Sequence, residues 1–555
     1  MSSYKPPKFA YRPPLELRSG ERRQHTVVVV GAGPVGLTAA IDLAQRGTPV
    51  LLLDDDDTVS VGSRGICYAK RALEVLDRLG VGDACVAKGV SWNVGRTFFR
   101  DEEVYNFQLL SQPDHKRPGM INLQQYYLEE FLVERARQLA EIDLRWKNRV
   151  VSVSQSDDRV VLQVETPDGG YTLESDWLIV ADGARSSIRR MLNLEVEGRI
   201  FTDRFLIADV KMQADFPAER WFWFDPPFHR GQSVLLHRQA DNVWRIDFQL
   251  GWQADPEEER KPAKVIPRIR AMLGDDRLFE LEWVSVYTFQ CRRMSDFRHR
   301  RVLFVGDAAH QVSPFGARGA NSGIQDADNL VWKLKLVIDR QAPDSLLDSY
   351  AEERQFAADE NLMNSTRSTE FITPGSPASL TFRNAVLTLA RKYPFARALV
   401  NSGRLSVPSI LTASSLNTPD EESFGGAMFP GAPMDDAPLR EAGRDLWLLD
   451  AVRDRFVLLY YAESLSAAAA AGLSALAASD LPVPLELMLI VARGGVVPVA
   501  AWRVLEDLAG RYAERYDATD GTVYLIRPDQ HVSARWRRAD GRRIHAALAR
   551  ATGSA

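Results

Sequence analysis

Hydrophobic positions change period several times along the chain, and each change predicts an element. From Thr26 to Asp54 a β-branched run, TVVVV, leads into a glycine-rich turn. Leu37, Ala40, Ile41 and Ala44 then recur at helical spacing as far as Gly47, and VLLLD follows. That order of strand, turn, helix and strand is the pattern of a buried parallel pair. Helices are predicted over 70–87 and about 123–140, and GRTFFRDEEVYNFQL alternates as a hairpin turning near Asp101-Glu102-Glu103. Residues 201–253 alternate again, through WFWF at 221–224 and VWRIDFQLGW at 243–252, and predict an antiparallel sheet. RVLFVGDAAH returns to a buried strand, a long helix is predicted from about Gly319 to Asp339, and helices continue to about residue 400.

The Pro/Gly-rich stretch 418–440 marks a domain boundary. Beyond it FVLLYYA, LELMLIVA and TVYLIRP read as strands and AAWRVLEDLAGRYAER as a helix, which makes a small α/β unit. SAAAAAGLSALAA reads as an alanine-rich surface helix. At 555 residues the chain exceeds what one core supports. The expected layout is an arm over 1–25, an α/β nucleotide-binding domain over 26–200, a β-sheet domain over 201–285, a return to the first domain over 286–420, and the C-terminal unit over 421–555. The segment 91–120 is expected to join the β-sheet domain. The basic, Pro-containing arm reads as solvated, able to clasp a neighbouring subunit.

A net charge of -5 and a pI near 6.0 offer no general electrostatic reason to bind nucleic acid or an anionic membrane. No apolar run is long enough to span a bilayer. Cys67, Cys85 and Cys291 form neither a CxxC pair nor a zinc-like spacing, so no metal site and a cytoplasmic setting are expected.

The first chemical motif is Gly31-Ala32-Gly33-Pro34-Val35-Gly36, with Asp54 ending the second strand. Gly31 permits the tight turn, Gly33 lets the backbone approach a pyrophosphate, and Gly36 allows close helix–strand packing. Asp54 is placed to accept ribose hydrogen bonds. FAD and NAD(P) share this fingerprint. Two later segments decide between them: Asp182-Gly183-Ala184-Arg185-Ser186-Ser187-Ile188-Arg189 and Gly306-Asp307-Ala308-Ala309-His310, each directly after an apolar strand. In this order and at these separations the three motifs resemble the FAD set of class A flavoprotein monooxygenases, the p-hydroxybenzoate hydroxylase-like aromatic hydroxylases. The similarity covers roughly residues 26–365 and includes LLDSYAEER at 346–354.

The resemblance implies that Asp307 hydrogen-bonds the ribityl chain of FAD and that Asp182, Gly183 and Arg189 lie in a segment associated with FAD and NAD(P)H. Gly306 belongs to the same set, and Arg64 and Gln125 are further FAD contacts, with Gln124 as the alternative register. Where the commoner family form is GGQGMN, this chain has Gly316-Ala317-Arg318-Gly319-Ala320-Asn321. Small residues at Gly319, Ala320 and Asn321 open the helix N-terminus to a reduced flavin. Arg318 is either a fixed positive charge near the ring or a surface arginine. Asp326 and Asn329 read as positioning the helix. By family position the Pro314 carbonyl accepts a hydrogen bond near the reacting ring.

Arg245, Asp247 and Gln249 share one face of their strand, and Ile246, Phe248 and Leu250 share the other. Either face could line a cavity. His229, His237 and Tyr287 are candidates for base or proton relay, and WFWF reads as half core and half pocket wall. The chain carries no second GxGxxG, so NAD(P)H is expected to bind transiently, reduce the flavin and leave. The resemblance then implies hydroxylation of a phenolic ring with O2 through a flavin C4a-hydroperoxide. Hydroxylation or epoxidation of a polyketide-like polycycle, a flavin-dependent reductase or oxidase without oxygen insertion, and a regulatory FAD-binding protein are the alternatives. The C-terminal unit resembles the thioredoxin-like domain of phenol-hydroxylase relatives, without a CxxC. It is expected to pack or dimerise, so that its removal leaves the FAD motifs intact. A homodimer is expected.

Overall fold

The computed structural model describes residues 4–274, 277–401, 405–495 and 502–554. It is a mixed α/β protein with three large sheets and one small one. The first sheet is built on Gln24–Val30, whose valines are buried because parallel strands pair on both sides. Val50–Leu53 lies on one side, with Val27 opposite Val50, and Gly169–Val180 on the other, with Val30 opposite Val180. Ile142–Arg145 and Val302–Phe304 extend the parallel run at either end. Helix Pro34–Gln45 connects the first pair and crosses helix Gly319–Ile338 closely. A Cβ on Gly323 would stand 2.6 Å from Val35 Cγ2.

The second sheet is antiparallel apart from one parallel pair, Val94–Phe99 beside Arg220–Phe224. Its strands include Glu197–Lys211, Ser233–Arg238, Val243–Gly251 and Glu280–Arg293, and the hairpin Val94–Phe99/Glu102–Gln108 completes one edge. Ile246 and Phe248 belong to an apolar layer with Val265 and Ile269 of helix Pro262–Leu273. The opposite, polar face is therefore the inner one. Trp221 and Trp223 join the helix-covered layer, and Phe222 and Phe224 pack inward with Phe315 and Phe371.

The third sheet has seven strands from Pro438 to Trp536, with Phe456–Ala462, Leu485–Ala492 and Arg503–Asp507 parallel at its centre. Three expectations change. AAWRVLEDLAGRYAER holds strand Arg503–Asp507 and the short helix Arg511–Arg515 rather than one helix, and its first two residues lie outside the described ones. Central-strand pairing overrides local propensity there. The helix over 70–87 divides into Lys70–Leu79 and Gly82–Lys88 because Gly80 adopts a left-handed φ of 86°. The arm is not solvated: Phe9 is buried and stacks on Trp146, Tyr4 stacks on Tyr126, and buried Glu16 pairs with Arg145. Its aromatic residues bury against its own chain. Among the described residues no helix is long and apolar enough to cross a membrane.

Candidate active site

Three strand ends of the first sheet converge on one cleft. Gly31 has φ 107°, and a Cβ there would meet the Ala181 carbonyl oxygen at 2.4 Å. One on Gly36 would meet the Gly31 carbonyl oxygen at 1.9 Å, so both glycines are required by close approach. Gly33 has no neighbour within 4 Å of such an atom, which leaves its backbone open, and Pro34 begins the helix. Asp54 accepts from Ala32 N–H at 2.6 Å and from Asp56 N–H at 2.9 Å, and burial pushes its carboxyl up to about 6.

Asp182 Oδ2 accepts from Ser187 N–H at 2.8 Å and Ile188 N–H at 3.2 Å, while its buried Oδ1 has no partner. Gly183 (φ 77°) leaves open space beside it. Arg189 donates to the carbonyls of Ala308 at 2.7 Å and Ala184 at 3.0 Å, and so ties the second motif to the third. Gly306 adopts φ 60° and donates to Asp326 Oδ2, which also meets His310 Nε2 at 2.6 Å; Arg354 holds the other oxygen. Asp326 thus positions the helix. Asp307 is crowded enough by protein for burial to push its carboxyl up, yet it is exposed to solvent. Its carboxyl is therefore flanked by protein and open to solvent on one side.

Asn321 uses its whole amide on neighbouring backbone: Oδ1 accepts from Ala69 N–H, and Nδ2 donates to Cys67 O and Ala317 O. Gly319 and Ala320 are partly exposed at the helix N-terminus. Arg318 is not a surface residue. It is buried and donates to Asn361 Oδ1 at 2.5 Å. Gln125 accepts from Gly65 N–H at 2.9 Å, beside exposed Arg64, whereas Gln124 turns away to Ala240 O. Gln125 is thus the glutamine that lies next to the Arg64 loop.

The inner face of the second sheet meets the same region. Arg245 donates to Ser63 Oγ at 3.0 Å, Arg64 O at 3.2 Å and Asp209 Oδ1 at 3.3 Å. Arg220 reaches the Phe315 carbonyl at 3.5 Å. Cross-strand pairing puts His237 opposite Arg220 and Arg245, and Asp247 opposite Leu235, so His237 and Asp247 are diagonal neighbours on one face. Burial, with Arg220 and Arg245 adding to it, holds the His237 imidazole well below its ordinary value; its Nδ1 has no partner. Burial pushes Asp247 up to about 7 against the opposing pull of Arg245, whose Nε lies 3.9 Å from Oδ1, and that oxygen has no hydrogen-bond partner. Tyr287, raised by burial, is partly accessible on the same face. Beyond Arg245 a groove of about 570 Å³ opens between Tyr126, Lys211 and Trp283.

Two sequence candidates are not brought to this cluster as expected. His229 bonds Gln249 O at 2.7 Å and packs on Phe248, the residue of the helix-covered layer, because its loop folds over that side. The Pro314 carbonyl already accepts from Ala317 N–H at 2.9 Å within a tight turn. Sequence reasoning missed Arg220 and Asp209. Arg220 could have been found, since it continues the alternation of Phe222 and Phe224. Burial lowers its guanidinium to about 10.

The residues present fit FAD: open backbone at Gly33 and Gly183, an unpartnered oxygen on Asp182, and Asp307 open to solvent on one side. The FAD binding domain family model matches residues 24–365, more than half of the chain, and the chain belongs to that family. It is an FAD-dependent monooxygenase of the class A aromatic-hydroxylase type. A flavin-dependent monooxygenase from Mycobacteroides abscessus is 33% identical over 346 residues, covering 59% of this chain and 71% of that protein. The 6-methylpretetramide 4-monooxygenase of Streptomyces rimosus is 33% identical over 385 residues, covering 66% and 67%. The crystal structure of the flavin-dependent monooxygenase PieE with FAD and substrate shares the fold, with TM-score 0.80 and 24% identity over 96% of this chain and 99% of that one.

Proposed function

We propose that the enzyme hydroxylates a phenolic ring held against the inner face of the second sheet, with electrons from NAD(P)H and an oxygen atom from O2. The observation that carries this reading is the pair of buried atoms without a hydrogen-bond partner, His237 Nδ1 and Asp247 Oδ1, on the face whose Arg245 reaches the Arg64 loop. Buried polar atoms are ordinarily satisfied, and two neighbouring exceptions on one face suit a polar group of a ligand. FAD, when bound, supplies the electron store and the activation of oxygen. Gly31, Gly33, Pro34, Gly36 and Asp54 would hold its adenosine half, and Asp182, Gly183, Gly306 and Asp307 its flavin half. Gln125, Asn321 and Arg189 act as braces for the loops that carry Arg64, Cys67 and Asp307.

Arg220 and Arg245 favour a phenolate over a phenol near them. Asp247, whose carboxyl burial raises to about 7, takes the hydroxyl proton, and His237, kept neutral, holds the hydroxyl through Nδ1. Tyr287 orients the ring, and Phe222 and Phe315 close the wall against water. Helix N-terminus and Arg318 together favour negative charge on the reduced ring system. NAD(P)H approaches without a nucleotide fold of its own, and the open groove beside Trp283 offers it a surface.

A second reading, a polycyclic polyketide-like substrate, draws support from the 6-methylpretetramide 4-monooxygenase relative. In either reading the first sheet is a Rossmann-like FAD-binding domain, the second an inserted substrate domain, and the third a thioredoxin-like unit without CxxC. A cytoplasmic setting is supported by the three free thiols.

The test is to follow NAD(P)H oxidation by the purified yellow protein with a panel of phenols and polycycles under labelled dioxygen. Substrate-stimulated oxidation and a product with one labelled oxygen are expected. Oxidation without labelled product would return the reductase reading.

A further inference from the structure

Asp54 and Arg64 stand towards the two ends of one loop, which joins strand Val50–Leu53 to strand Cys67–Ala69 and has no helix of its own. Such a loop is ordered only by what touches it. Helix Gln125–Arg137 holds its second half: Glu129 accepts from Ser60 N–H at 2.5 Å, and Gln125 accepts from Gly65 N–H. The N-terminal arm holds its middle. Lys8 and Thr58 form an antiparallel bridge, Phe9 N–H donates to Asp57 O at 2.8 Å, and Thr58 Oγ1 donates to Pro7 O at 2.7 Å. The arm is anchored on either side of this contact. Tyr4 stacks on Tyr126 with ring centroids 3.7 Å apart and meets Tyr127 edge-on, both on the helix that holds the loop. Phe9 stacks on Trp146 at 4.5 Å, and the next residues, Lys147 and Asn148, donate to the carbonyls of Asp56 and Asp54.

We infer that the arm is a brace for this FAD-binding loop, with Tyr4 and Phe9 as its positioning residues. The inference rests on the reading of Asp54 and Arg64 as FAD contacts. Magnitudes pick out the two rings. The Lys8 side chain pairs with Asp57 but is 68% exposed, and an exposed ion pair contributes little. Phe9 is buried and Tyr4 half-buried, and a stacked aromatic pair adds to the area it buries. A loop already held in shape loses less freedom when the cofactor arrives, so bracing shows in how long FAD stays rather than in how fast it binds. The arm follows the loop further, since Tyr4 and Pro6 border the 570 Å³ groove together with Gly62 and Ser63. Gripping a neighbouring subunit is a poorer match, because both rings already pack on this chain.

Release of FAD from the loaded enzyme, read as the rise of flavin fluorescence after dilution, tests this. Y4A combined with F9A is expected to release FAD about tenfold faster or more, the worth of two lost aromatic stacks. Y4F keeps the ring and is expected to hold FAD as the wild type does. T58V removes only the hydroxyl that meets Pro7, and should speed release by about threefold. Y11A cuts the arm's tie to Thr166 on strand Val160–Thr166 and leaves release unchanged. An arm that only stabilises the fold would lower the melting temperature in Y11A and in the double variant alike, with release from the folded enzyme at the wild-type rate. That result overturns the inference. Should the double variant not fold, T58V carries the test, and wild-type release from it overturns the inference equally. D54A separates the brace from the reading beneath it. FAD shed by D54A but held by the double variant overturns the brace alone; FAD held by D54A overturns the reading and the inference with it.

Discussion

Two buried polar regions, one at the junction with the C-terminal unit and one under the second sheet, differ in how densely their charges are paired. At the junction with the C-terminal unit, Arg527 donates to Glu353 at 2.6 and 3.0 Å and to Asp529 at 3.0 Å; Lys333 and Asn329 each reach Glu353 at 2.7 Å. Arg71 meets Gln530 at 3.0 Å and Asp328 at 3.2 Å. Every charge there has an opposite charge. Under the second sheet, His237 and Asp247 are as deeply buried, yet His237 Nδ1 and Asp247 Oδ1 have no hydrogen-bond partner, and Asp247 meets Arg245 only at 3.9 Å. A densely paired network holds elements together, whereas a loosely paired one leaves capacity for binding and proton transfer. The junction also changes the expected role of the C-terminal unit. The turn at Arg527–His531 completes the helices that carry the flavin loop, so deleting 421–555 should cost FAD as well as packing.

Breaking the junction should have the largest effect. E353A leaves Lys333 and part of the Arg527 charge buried without a counter-charge, and should destabilise by about 3–5 kcal/mol. Chemical denaturation reads this, and FAD release should accompany it. Burial raises the Glu353 carboxyl, but Arg527 and Lys333 outweigh that and hold it far below its ordinary 4.5. A depressed carboxylate contributes stability above its unfolded value and loses it as pH falls, so the wild type should weaken progressively below about pH 4.5. E353A should show a shallower acid limb. An unchanged melting curve would mean the network is not what joins the two units.

The opposite signature is expected at His237. H237A should lower kcat by about tenfold, the worth of one lost hydrogen bond to the reacting hydroxyl, while keeping the FAD spectrum and the stability of the wild type. A rate that is unchanged while stability falls would place His237 with the junction residues instead.

Much of this contrast was legible before the fold was known, and the remainder was not for physical reasons. Gly31, Gly36, Asp182 and Asp307 could be placed because a nucleotide cleft needs those residue types at strand ends in a fixed order. The β-strand alternation paired Arg245 with Asp247 but could not say which face was inner, since a polar inner face and a polar solvent face have the same period. His229 and His237 looked alike in sequence; only their strand register separates them. Glu353 lay in plain sight within LLDSYAEER, but its partner Arg527 is 174 residues away, beyond any local pattern. The strand Arg503–Asp507 was lost to its helix-favouring composition because its pairing partners lie elsewhere in the chain.

Asp247 gives a smaller, pH-dependent test. Its carboxyl is raised from 3.8 to about 7, mainly by burial. A raised carboxyl penalises the folded state above the folded value, and that penalty is relieved as pH falls from about 7 toward 3.8. D247N removes the penalty and should stabilise by about 1–2 kcal/mol at pH above 7, less than the full shift because the new amide also needs partners. The gain should disappear in mild acid, and the kcat profile should lose its limb near neutrality. Stabilisation that persists below about pH 4 would assign the effect to packing rather than to ionisation.

The smallest effect sharpens the comparison most, because it changes only the side of the sheet. H229Q should alter kcat, KM and the pH profile by less than about threefold, and stability by no more than about 1 kcal/mol, the worth of one ordinary hydrogen bond. The Gln249 carbonyl that His229 meets is backbone, and a glutamine amide can donate to it in place of the imidazole. His237 has no such substitute, since the atom that matters there is the one without a partner. A hydroxylase crippled by H229Q but tolerant of H237A would mean that the helix-covered side of the second sheet, and not its polar side, faces the reacting ring.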